Sequence, residues 1–280
     1  MDRLSRALRR ASAIADAVLA PADQGGPWPP GVLVPPGARA QTGAMDSIQT
    51  ECLLVPTADT TLAVRLRYRW AQLWRITWDG ADHAPGIRST RVHGAGAETV
   101  RRRIDVVLPL ADVDARVRRY RFALPGLERS HPLPGTATAR LIRRRWPISG
   151  ALEVSAHRLD GGNGPVRLRV EVHNDVVWRA YDAPPEVVLR RALIGVHVLL
   201  TVNSGQFLSM VDPPDWARAA AADCVNAGTF PVLVGDPHRN DTMLSAPIPL
   251  GDYPALPGTA YPAPVLARAT DEMPLAAWRP

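Results

Sequence analysis

Asp236, His238 and Asp241 sit within one turn, at a spacing that lets them act as acid, base or metal ligand. They begin at Asp236-Pro237, a turn-starting pair, and loops on a rigid scaffold are where reactive groups gather. With Asp212 upstream they make the catalytic candidate of the chain, a loop-built acid/base or metal site. A second chemistry lies in arginine. Arg101, Arg102 and Arg103, then Arg143, Arg144 and Arg145, with a further cluster from Arg116 to Arg121, are its strongest surface signal. Converging on one sheet face they would grip phosphate or an acidic protein. Spread over alternating strands they are a solvated face.

Other chemistries fall away. All 33 basic residues are arginine, which removes a Schiff-base lysine, a covalent pyridoxal phosphate site and a phosphate-loop lysine. The net charge is only +6, with 27 acids interspersed, so the charge is no proof of a nucleic-acid partner, and none is the leading expectation. Cys52 and Cys224 are too few and too far apart for a zinc or iron–sulfur signature, and they read as reduced thiols in a cytoplasm. Cys224 falls near a predicted helix C-terminus, where the dipole raises a thiol pKa and disfavours a nucleophile. Histidines 83, 93, 131, 157, 173, 197 and 238 show no pair at ligand spacing, and His157 and His173 stand too far off register to share a metal. No metal and no cofactor are expected. Gly94-Ala95-Gly96 precedes a predicted strand instead of a helix, so it fails as a dinucleotide motif.

The elements that must position these residues are mostly strands. Residues 2–19 put Leu4, Leu8, Ala11, Ile14, Ala15 and Val18 on one helical stripe, with arginines mostly opposite. Residues 21–44 are rich in Pro and Gly and read as a loop or flexible linker. From there the period is two. Strands are predicted at 48–55, 62–78, 100–108, 116–124, 139–146, 151–158 and 166–178, the last two joined by the hairpin signal Asp160 to Gly164. In 62–78, Arg65, Arg67 and Arg69 share the solvated side. A helix is predicted at 186–195. A hairpin follows, 196–202 and 206–211 around Asn203-Ser204-Gly205, then a helix at 216–224 capped by Asp212, and a strand at 230–234. Residues 243–250 read as extended, confined to an edge or loop by Pro247 and Pro249. The sum is an α+β protein: a mainly antiparallel, sandwich-like sheet with a C-terminal helix–hairpin–helix–strand region. The organisation is a helix and linker at 1–46, one domain at 47–254 and a Pro-rich tail at 255–280. No stretch approaches the roughly 20 apolar residues of a membrane span.

The run LRRALIGVHVLLTVNSGQFLSMVDPPDWARAAAADCVNAGTFPVLVGD, continuing to TMLSAPIPLGDYP, resembles an uncharacterised actinobacterial family whose genes are often found near [NiFe]-hydrogenase genes. Residues 13–19 and 48–54 resemble it too. Where the family follows its first helix with a tyrosine- and arginine-rich segment, this chain has Pro21 to Pro30, keeping Trp28, Gly31, Val32 and Leu33. The family also continues as a helical region after Thr270-Asp271-Glu272, where this chain ends at Pro280. The resemblance implies no activity. Together with the chemistries excluded above it leads to the expectation of a non-catalytic accessory or interaction protein of the cytoplasm, with a hydrogenase or a maturation factor as partner. The rival expectations are the loop-built enzyme and phosphate or nucleic-acid binding by the arginine face.

Overall fold

The stretches of period two pair into two antiparallel sheets. The computed structural model describes residues 3–19, 28–81, 88–114, 116–135, 138–159, 164–254 and 272–274. One sheet has the order β10 (Gln206–Phe207), β1 (Ser47–Val55), β8 (Val166–Asn174), β7 (Ile148–Arg158) and β4 (Arg118–Leu124). The other runs β11 (Phe230–Leu233), β12 (Thr242–Ala246), β9 (Ile194–Val202), β2 (Thr61–Ala81), β3 (Arg88–Pro109) and β13 (Glu272–Pro274). β6 (Ala139–Arg145) joins it beside β2, with β5 (Leu127–Pro132) outside it.

Alternation explains how the two sheets meet. Leu54, Leu152, Val170 and Val172 of one sheet and Leu62, Val64, Leu66, Val198 and Leu200 of the other share one buried cluster. Each such side chain contributes roughly 1.5–3 kcal/mol by leaving water. β2 organises the assembly. One of its edges pairs with β3 along its whole length; the other pairs with β9 from Leu62 to Arg69 and with β6 from Gln72 to Trp78.

The helices are α1 (Arg3–Val18), α2 (Arg39–Thr42), α3 (Pro185–Leu189) and α4 (Arg218–Ala222). The stripe of α1 docks on the outer face of the larger sheet: Leu4, Leu8, Ala11 and Ala15 pack against Ala63, Leu199, Val232 and Leu244. Residues 28–46, predicted as part of a loop and linker, carry a 3-10 turn at Pro36–Ala38 and the short α2, and they are packed. Leu33 and Val34 are fully buried, and Leu33 bridges to Leu193.

Several elements differ from expectation. The helix predicted at 186–195 stops at Leu189, because Leu193 and Ile194 are taken into the core and into β9, which outweighs a short helical run. Residues 196–202 and 206–211 are no hairpin. β9 and the two-residue β10 lie in different sheets, and Asn203-Ser204-Gly205 carries the chain between them. Asn203 Oδ1 accepts from Thr61 N at 2.6 Å, and Gly205 has a φ of +88°, with Val55 O only 2.6 Å from where a Cβ would sit. Asp212 does not cap the next helix; Pro214 holds that position ahead of a 3-10 turn, Asp215–Ala217. β12 is interior and wholly buried, and Pro247 and Pro249 come just after it. The turn from Asp160 to Asn163, residues 20–27, and the tail apart from β13 lie outside the described residues.

Candidate functional site

The alternation of β2 turns Arg65, Arg67 and Arg69 away from the sandwich core. β3 sets Asp105, Arg103 and Arg101 directly across from them. The sequence predicts this basic face to be solvated. Instead α1 lies over it, and Arg65 is 6% exposed. Arg65 Nε and Nη2 donate to Asp105 at 2.6 and 2.8 Å, a fork-on-fork pair, while Nη1 donates to Ser12 Oγ at 3.1 Å. Arg67 donates to the Ser12 carbonyl at 3.0 Å and to Asp16 at 2.8 Å. Arg101 stands 3.4 Å from the other oxygen of Asp16. The charged end of the helix thus satisfies the first arginines of the row.

Arg69 is left over. It is half-buried, and among the described residues it has no carboxylate partner. Burial pulls its guanidinium below the usual arginine value; Arg101 and Arg67 pull the same way, and Asp16 opposes them. It faces a cavity of about 130 Å³ under the C-terminal end of α1, with Asp16, Arg67, Arg101, His197, Pro29 and Pro30 also in its wall.

A bulge in β9 shapes that cavity. Arg67 pairs with His197 but Arg69 pairs with Ile194, so β9 carries one residue more than β2 there. Gly195 absorbs it with a φ of +63°. Val196 N donates to Gly31 O at 2.8 Å, which ties the Pro29–Gly31 segment to the bulge. Gly195 O in turn accepts from His197 Nδ1 at 2.9 Å. His197 is 8% exposed, and among the described residues its buried Nε2 has no hydrogen-bond partner. Burial lowers its pKa from 6.5 to about 4, so the ring is neutral at pH 7.

The charge balance favours an anion. Arg67, Arg69 and Arg101 face one carboxylate, Asp16. The C-terminal end of α1 adds only about half a negative charge. The wall therefore holds an excess of positive charge in a half-buried place, where solvent screens it in part.

The residues singled out in the sequence divide between this site and others. Arg101 is in the wall, and Arg103 lies next along the same face, 3.9 Å from Asp105. Arg102 also touches the wall, but the pleat turns its guanidinium to the opposite face, over the Trp70 ring at 5.6 Å. Arg143 donates to Glu98 at 3.2 Å and Arg145 donates to Gln72, both facing the same way as Arg102. Arg144 lies over Trp146 at 5.0 Å. Three consecutive arginines on a strand cannot share one face. Gly96, of the rejected dinucleotide motif, gives room to Trp74, whose ring would lie 2.7 Å from a Cβ there.

Asp236 and Asp241 line one pocket with Arg3, Arg6, Arg10 and Arg239, but neither His238 nor Asp212 is in its wall. Asp236 Oδ1 accepts from His238 N at 3.0 Å as a turn cap, and the His238 side chain is exposed. Asp241 pairs with Arg239 at 3.2 Å and Arg3 at 3.5 Å, and Asp212 is exposed. A cluster that the sequence did not suggest lies on the outer face of the smaller sheet. There Glu153, Glu171 and His173 bring ligand atoms within 4.8 Å of one another. Arg119 already holds Glu153 at 2.6 Å and Arg169 holds Glu171 at 2.5 Å, so the carboxylates are neutralised in place. Its assembly depends on the register that sets Glu153 beside Glu171.

His197 and Arg69 are the site residues that sequence reasoning passed over. Arg69 shares parity with Arg65 and Arg67, and that parity was the available signal. What it lacked was the helix that covers the row. No protein-family model matches the sequence, and no curated protein matches it.

Proposed function

We propose that this protein is a non-catalytic binding protein whose ligand is a compact oxyanion, a phosphate or a small carboxylate, held between α1 and the arginines of β2 and β3. Arg69 carries the reading. It is a half-buried guanidinium without a carboxylate partner among the described residues, beside Arg67 and Arg101, which share Asp16. An unpaired charge in such a place is costly unless something answers it. The cavity volume of about 130 Å³ supports a ligand of a few heavy atoms. It equals about four waters at roughly 30 Å³ each, and falls well below the roughly 300 Å³ where drug-sized sites begin. Thermal unfolding in rising inorganic phosphate tests the reading, since a ligand of the native state raises the melting temperature by mass action. The wild type should respond and Arg69→Gln should not. An unresponsive wild type sinks the proposal.

An accessory role beside a hydrogenase or another redox complex is the second part of the proposal. Its support is the resemblance of residues 189–254, and a protein that holds an anion without transforming it suits such a role. A cytoplasmic location belongs with it, supported by the free thiols of Cys52 and Cys224. Among the described residues no helix is long and apolar enough to cross a membrane. Co-purification from the native host is the check. If neither a hydrogenase subunit nor a maturation factor is enriched over control, the accessory role falls and the binding role stands.

A further inference from the structure

On the outer face of the larger sheet, β2 passes from Ala71, clustered with Val188 and Leu189, to Leu73 and Arg75, which line an open groove of about 390 Å³. Register sets Ala97, Leu73 and Arg144 in one cross-strand row and Ala95, Arg75 and Ile142 in the next. The floor is therefore broad and largely apolar, with alanines on β3 where longer side chains would fill it. Trp146 and Arg190 complete the lining. Three guanidiniums meet this floor and, among the described residues, no carboxylate does. Arg144 and Arg190 lie over the ring of Trp146, 5.0 and 4.9 Å from its centroid, so two like charges are held against one rigid plane. Glu128 stands 3.8 Å from Arg144, but these side chains are 51% and 56% exposed, and such a pair is weak. Arg75 is exposed and has no hydrogen bond or ion pair among the described residues. Arg190 has none either. Of its three nitrogens Nε alone is both buried and unpartnered, so the two terminal ones are open to a ligand.

We infer that this groove is a second binding site, and that it takes an aromatic carboxylate. Charge complementarity names the occupant. A positive rim around an apolar floor repels a cation and leaves a bare inorganic anion with the floor still wet. An aromatic acid answers both parts: its ring covers Leu73, Ala95 and Ala97, and its carboxylate accepts from Arg190 and Arg144. The ring also gives the guanidinium of Arg75 a face to lie on, as Trp146 does for the other two arginines. The volume falls within the roughly 300–1,000 Å³ of small-molecule sites. No lining residue is shared with the cavity under α1, so the two sites stand or fall separately.

Titration calorimetry with 2-naphthoate, 2-naphthalenemethanol and octanoate, at neutral pH in a low-salt chloride buffer, tests the site. 2-Naphthoate should saturate a single site. The neutral alcohol should bind roughly ten- to a hundredfold more weakly, the range for losing a charge-assisted hydrogen bond. Octanoate should bind roughly three- to tenfold more weakly, because it keeps the charge and offers Arg75 no ring. Arg190→Gln and, separately, Arg75→Gln should each weaken 2-naphthoate binding about tenfold. Arg75 is exposed, so its variant keeps the test decisive if Arg190→Gln fails to fold. A wild type that does not bind 2-naphthoate overturns the site, as does undiminished binding by Arg75→Gln or by a folded Arg190→Gln. Octanoate bound as tightly as 2-naphthoate overturns the assignment to an aromatic acid.

Discussion

Arg69 on β2 lies directly across the ladder from Arg101 on β3, two like charges opposed on a face that α1 covers. Such a pair costs a sheet up to about 1 kcal/mol. Asp16 relieves Arg101 and Arg67 but does not pair with Arg69. A fold that keeps this opposition gives up stability for something else. Replacing Arg69 with Gln should therefore raise the free energy of unfolding in phosphate-free buffer by roughly 0.5–1 kcal/mol. Urea denaturation measures it, and a clear loss of stability would show that Arg69 has a structural task.

Asp16→Asn should act in the opposite direction on both quantities. It leaves Arg67 without the 2.8 Å carboxylate contact and Arg101 without its 3.4 Å one. The Asp16 side chain is 34% exposed, so a charge-assisted bond there is worth about 1 kcal/mol after screening. Stability should fall by about that much. Anion affinity should rise, because the acid of the cavity wall is gone. Weaker binding in this variant would mean that Asp16 positions the arginines for the ligand.

Gly195→Ala isolates the backbone. Chain neighbours aside, no atom of the described residues lies within 4 Å of the Cβ that would be added, so they leave it space. The φ of +63° is the obstacle, and a side chain there costs roughly 1–2 kcal/mol. A melting experiment should find that loss, and Gly195→Asn should lose less, since Asn tolerates the left-handed region. If both variants melt like wild type, the bulge is not held as described.

His197 makes stability pH-dependent with a definite sign. Its folded pKa of about 4 lies below its ordinary 6.5, so the unfolded chain binds the proton more readily. The contribution is complete above pH 6.5 and drains away as pH falls toward 4. The displacement corresponds to a contribution on the order of 3 kcal/mol. Denaturation at a series of pH values should show the decline in wild type, and a flatter curve in His197→Phe over that window.

Much of the frame was legible in the chain, and the site was not. The stripe of Leu4, Leu8, Ala11 and Ala15 predicts α1 to within a residue or so, and the apolar parity of Leu152, Val154, Val170 and Val172 predicts the β7–β8 pair. These are local periodicities. Asn203-Ser204-Gly205 looks like a hairpin turn because the residues suit one, yet which sheet each flank joins is decided by Thr61 and Val55, far away in sequence. The site fails to show for the same reason. Arg65, Arg67 and Arg69 read as solvated until α1 is known to cover them, and His197 looks like one scattered histidine until the bulge at Gly195 turns a carbonyl toward it. The turn of Asp236, His238 and Asp241 stood out because proximity in sequence is visible, but its carboxylates are used as cap and ion pair.

Calorimetric titration of the wild type and of Arg69→Gln with inorganic phosphate tests the central claim most directly. One saturable site in the wild type, absent from a variant at least as stable, is the predicted result. Equal binding by both proteins, or no binding by the wild type, would contradict it.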